Sequence, residues 1–165
     1  GELSEVSLTW GGIFWDNVSF PAGRNFVVRQ LAKDLRTTPD EAVSMLRLHL
    51  GGGTTTVTQA AIKASLAAVG EKWCQDFRQA VKTILIGCFL PGTIYLAGDA
   101  GILPLFRDWL KAEDFGDLSI GHRHFAVQIL TTDLLSQFCD QSAAVAHDLS
   151  LMVETLFCDK LLYTR

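Results

Sequence analysis

The stretch from Thr93 to Trp109, TIYLAGDAGILPLFRDW, constrains this chain more than any other. Thr93, Ile94, Tyr95 and Leu96 run directly into Ala97, Gly98, Asp99, Ala100 and Gly101, after which Leu105, Phe106, Trp109 and Leu110 recur at helical spacing. The pattern predicts a strand, a tight glycine turn and a helix start. A backbone reversing between strand and helix needs positive φ, and missing side chains let a flat ligand approach the main chain. Gly98, Asp99, Ala100 and Gly101 are therefore candidate cofactor-binding residues. The same glycines equally suit a turn that holds no ligand.

The segments before this unit read in order. Val6, Leu8 and Trp10 alternate with Glu5, Ser7 and Thr9, Gly11-Gly12 is a two-residue turn signal, and Ile13 to Phe20 returns, so the chain opens with a β-hairpin. Pro21, Ala22 and Gly23 break the sheet. Asn25 is the expected N-cap of a first helix on Val27, Leu31 and Leu35, which runs to Arg36. Thr38-Pro39-Asp40-Glu41 is a capping box opening a second helix to about Leu50, stopped by glycine. Gly51-Gly52-Gly53-Thr54-Thr55-Thr56 has the composition of a phosphate loop but leaves a helix, with no Gly-Lys-Ser/Thr after it. It reads as a helix stop and connector.

Ile62, Leu66, Val69, Trp73, Phe77, Val81 and Ile84 mark one long helix from Thr58 to near Gly87, with a bend expected at Gly70. Asp114 to Gly121 is a connector with a short strand expected at Asp117 to Ile120, and Phe125 to Leu130 fits either a strand or a helix start. Thr131 to Phe138 reads as helix, and Ser142 to Leu162 as a last amphipathic helix.

At 165 residues one domain with one sizeable core is expected. A formal charge of -4 and the absence of a basic cluster speak against nucleic acid as a partner. No apolar run is long enough to span a bilayer and no leader pattern is present, so a cytoplasmic chain without direct membrane insertion is expected. Cys74, Cys88, Cys139 and Cys158 are widely spaced and read as reduced core residues. Only 19% of residues are charged, which predicts apolar surface shared with another domain or chain, and the start at Gly1 reads as part of a longer protein.

The order of these elements and several local strings resemble the second half of an actin-like ATPase of the FtsA and PilM kind. The strings are Gly1-Glu2-Leu3-Ser4-Glu5-Val6, Phe20-Pro21-Ala22-Gly23-Arg24-Asn25, Leu35-Arg36-Thr37-Thr38 with Glu41-Ala42, and Leu96-Ala97-Gly98-Asp99-Ala100-Gly101. The resemblance covers most of residues 1–121 and implies an α/β, ribonuclease-H-like domain: a hairpin (1–22), a small helical lobe (23–58), a long helix with an adenosine-type strand-turn-helix (59–121) and a helical C-terminal part (122–165). A sheet shared by the hairpin and the strand at Thr93 is expected. The implied nucleotide site is Gly1, Ser4 and Gly23 with Gly98 to Gly101, for ATP or ADP with magnesium.

Residue by residue, the resemblance also implies losses. Glu2 and Leu3 stand where the family's phosphate turn has glycine and threonine, Val43 and Leu46 where its second helix offers a Glu and a Lys, and Asp99 where its adenosine turn has glycine. Two like unit charges ~4 Å apart repel by about 4 kcal/mol at an effective dielectric of about 20, so Glu2 opposes a phosphate there. The implied role is a cytoplasmic scaffold of a cell-division or pilus-assembly machine, with degenerate nucleotide binding, bound to protein partners or to itself and recruited by partners to the inner membrane face. The alternatives are the nucleotide-binding half of an active ATPase or sugar-kinase-type phosphotransferase, whose catalytic half would lie upstream, and an unrelated protein-interaction domain. His122 and His124 with Asp114 and Asp117 lack the further ligands a metal site wants, and His147-Asp148 lacks a nucleophile elbow. The four tryptophans read as core or inter-domain packing residues, not stacking platforms.

Overall fold

The computed structural model describes residues 1–10, 13–53, 56–87, 89–119 and 125–135. It is a mixed α/β structure with small sheets. Strands β1 (Ser4–Trp10) and β2 (Ile13–Phe20) pair antiparallel, with Val6 opposite Val18 and Leu8 opposite Asp16. The register then shifts so that Thr9 faces Phe14, which leaves Trp15 as the extra residue of a bulge. The shift accounts for Trp15 being 60% exposed, so it is not one of the core residues of this chain.

Helix α1 (Arg24–Leu35) is capped differently from the expectation. Gly23, not Asn25, is the N-cap, because the carbonyls of Glu2 and Gly1 accept the N–H groups of Gly23 and Asn25 at 3.0 and 3.1 Å. The backbone of the first residues does the work that a capping side chain would have done. Helix α2 (Pro39–Leu50) begins with the expected capping box, in which Glu41 N–H donates to Thr38 Oγ1 and Thr38 N–H to Glu41 Oε2. Both helices pack on the long α3 (Thr56–Ile84).

The predicted stripe of α3 is buried throughout, from Ile62 to Ile84. At Gly70 the helix meets the ring of Trp109, whose Nε1 would lie 2.5 Å from a Cβ. Close approach of an aromatic ring accounts for this glycine. Trp73 anchors the core, with ring centroids of Phe20, Phe77, Phe106 and Trp109 at 5.7, 5.4, 5.0 and 6.1 Å. Cys74 lies buried beside it, and burial, with the Glu113 charge, pushes its thiol up to about 12, which fits an inert core residue.

The organising unit forms as expected: β3 (Thr93–Leu96), a turn, then α4 (Leu103–Ala112). Phe125 to Leu130 resolves as β4 (Ala126–Ile129), parallel to β3. The strand expected from Asp117 is a 3-10 turn, Gly116–Leu118, with a single parallel bridge from Ser119 to Leu90. Side chains force this tighter path: Asp114 Oδ1 accepts Gly116 N–H, and Asp117 binds Arg78 and Lys82. Arg78 also lies 4.8 Å from the centre of the Phe115 ring. The helix expected from Thr131 begins as α5 (Thr132–Leu135).

The sheet expected to join the hairpin to β3 does not form among the described residues. The described residues form two separate two-stranded sheets, β1-β2 and β3-β4, standing above the aromatic floor of Trp73, Phe77 and Phe106. The Gly11-Gly12 turn, Cys88, Cys139, Cys158, His122, His124, His147 and the helix expected over 142–162 lie outside the described residues.

Candidate functional site

A cleft of about 670 Å³ separates β1 from β3. Residues 3–9 form one wall, residues 90–99 the other, and Phe20, Trp73, Phe77 and Phe106 the base. Gly1, Ser4, Gly23, Gly98 and Asp99, all singled out by sequence, line it. Ala100 and Gly101 follow in the turn but stand outside its lining.

Gly98 has φ +144, a conformation side chains rarely adopt, so the turn requires glycine there. Asp99 then closes the turn on itself. Its Oδ1 accepts Gly101 N–H at 2.8 Å, its carbonyl accepts Ile102 N–H at 3.0 Å, and its Oδ2 meets Arg24 Nε at 3.0 Å. Across the cleft end, Glu2 accepts from Asn25 Nδ2 at 2.9 Å and from Arg29 Nη1 at 2.6 Å. Hydrogen bonds from Asn25 and then Arg29 hold the Glu2 carboxyl below its ordinary value.

The remaining candidates are engaged in the same way. Gly23 sits so tightly on the first residues that a Cβ would come 2.5 Å from the Gly1 carbonyl oxygen. Ser4 Oγ donates to the Ala22 carbonyl at 3.0 Å and accepts Trp73 Nε1–H at 3.4 Å. Among the groups at this end able to donate to an anion, Gly23 N–H, Gly101 N–H, Asn25 Nδ2, Arg24 Nε and Arg29 Nη1 are each paired with a carbonyl or carboxylate of the chain. A phosphate would have to displace Glu2 or Asp99 to reach them. As built, these residues do not fit one.

Val43 and Leu46 belong to the core, Leu46 only 5% exposed, and neither lines the cleft. Among the described residues no group of three or more His, Cys, Asp and Glu is placed to hold a metal ion. None of the described helices is long and apolar enough to cross a membrane. Sequence reasoning missed Arg24 and Arg29 as partners of Asp99 and Glu2. The available signal was their position on the first two turns of a helix entered through Gly23, where a guanidinium can reach back to the first residues.

No family model, curated protein or solved structure matches this chain.

Proposed function

We propose that this chain is an actin-like scaffold module with degenerate nucleotide binding, a cytoplasmic component of a machine of the cell-division or pilus-assembly type that works by holding protein partners or copies of itself. Its support is the sequence resemblance together with the element order of hairpin, two helices, long helix and strand-turn-helix. The observation that carries the degenerate reading is the state of the cleft end. Glu2 and Asp99 occupy, with their own carboxylates, the cations and N–H groups that a nucleotide's phosphates would need.

An anion entering beside these two carboxylates meets like-charge repulsion, reduced by solvent at so exposed a site. The fold is then kept for what it holds together. Calorimetric titration of ATP and ADP with magnesium tests the reading, with Gly98→Arg as control. Absence of heat up to millimolar nucleotide in folded protein is expected, and micromolar binding abolished by the substitution would overturn it.

A further inference from the structure

The turn that follows β3 has little burial to hold it. Ala97, Gly98, Asp99, Ala100 and Gly101 are all exposed, and burial resumes at Ile102 and Leu103. Gly98, at φ +144, makes the reversal. From there the order of the turn rests on Asp99, whose Oδ1 accepts Gly101 N–H at 2.8 Å and whose carbonyl accepts Ile102 N–H and Leu103 N–H at 3.0 and 3.2 Å. Segments with exposed hydrogen bonds and few buried contacts are the first to open in a folded chain.

The ion pair from Asp99 Oδ2 to Arg24 Nε, at 3.0 Å, reaches out of the turn to the other side of the cleft end. Its two partners are held very differently. Arg24 is the first residue of α1, and the backbone is pinned on both sides of it: Gly23 N–H donates to the Glu2 carbonyl at 3.0 Å, and Asn25 N–H to the Gly1 carbonyl at 3.1 Å. Gly23 is packed so closely on the first residues that no Cβ would fit. Arg24 is therefore a fixed post and Asp99 the movable partner. Their side chains are 30% and 51% exposed, so water and counter-ions reach the pair. An ion pair of this kind holds weakly and is screened by salt.

We propose that Arg24 and Asp99 form a clasp that fixes the exposed turn from Gly98 to Gly101 against the cleft end and that is opened by ionic competition. When salt, or an acidic group competing for Arg24, takes the guanidinium away from Asp99, the turn is released while α1 and the aromatic base of the cleft stay in place. Arg24 is thus a positioning residue, acting on the turn through Asp99. The proposal is independent of whether the cleft end binds nucleotide, which calorimetry reads separately.

The test is residue-resolved amide hydrogen exchange on the natural chain, Arg24→Gln and Arg24→Lys, read as the ratio of the rates at Gly101, Ile102 and Leu103 to the rate at Trp73 in α3. In the natural chain this ratio should rise about two- to fivefold between about 0.05 M and about 1 M salt, where the screening length shrinks to about 3 Å. Arg24→Gln should show the raised ratio already at low salt and respond little to more of it. Arg24→Lys, which keeps the charge, should keep the salt response. A low-salt ratio in Arg24→Gln equal to that of the natural chain, or lower because the whole chain has loosened, would overturn the proposal. So would a natural-chain ratio indifferent to salt.

Discussion

Around α3, Leu31, Ile62 and Val81 are wholly buried and Trp73 touches four other rings, while the walls of the cleft are two strands, each paired on one side alone among the described residues. The first region is finished by apolar packing, which any side chain of suitable size and spacing can supply. The second is finished at its end by carboxylates that answer nearby donors, and along its length by nothing among the described residues. Packing and polar satisfaction are separate requirements, and this chain meets them in different places.

Trp73 is where the two regions meet, so its loss should have the largest effect. Trp73→Ala should destabilise by about 3–5 kcal/mol in denaturant unfolding, because it empties the helical core and the base of the cleft together. A cost near that of an exposed substitution would mean that the core does not depend on this ring. Gly70→Leu should cost about 1–3 kcal/mol by driving Trp109 off α3, while leaving the cleft end intact. Thr38→Ala should remove about 1 kcal/mol from the helical side through loss of the capping box.

Substitution at the cleft end should be felt least in stability. Asp99→Asn keeps an acceptor for Gly101 N–H and removes only a half-exposed ion pair with Arg24, so a loss below about 1 kcal/mol is expected. The smallest effect is acid-dependent. Glu2, through Asn25 and Arg29, and Glu41, through Thr37 and Thr38, titrate below their ordinary 4.5 in the folded chain. Their contribution is present above that value and is lost as pH falls through the lower folded one. Glu2→Gln and Glu41→Gln variants should therefore be slightly less stable than the natural chain at neutral pH, lose part of the pH dependence of unfolding below pH 4.5, and approach the natural chain's stability at the acid end.

The helical side was legible in the sequence because burial leaves a period: every residue named for the stripe of α3 is buried, and Thr38 and Glu41 form their box. The strand at Thr93 was equally plain from its composition and the glycines after it. What escaped was whatever depends on partners distant in sequence. Asn25 was expected as a cap because its type suits one, but the carbonyls of Gly1 and Glu2 had taken that role and its side chain turned to Glu2. Trp15 lies outside the core because a bulge moves one residue out of register, and no sequence pattern announces it. The separation of β1 from β3 leaves no local mark either, since strand neighbours are set by tertiary packing.

The central claim is that Glu2 and Asp99 close the cleft end to anions. Its most direct test is side-by-side calorimetric titration of ATP and magnesium into the natural chain and a Glu2→Gly, Asp99→Gly double variant. Removing both charges should raise affinity by at least about tenfold, from no measurable heat to a measurable isotherm. Equal micromolar binding by both proteins would contradict the account, because the two carboxylates would then stand beside a working site without guarding it.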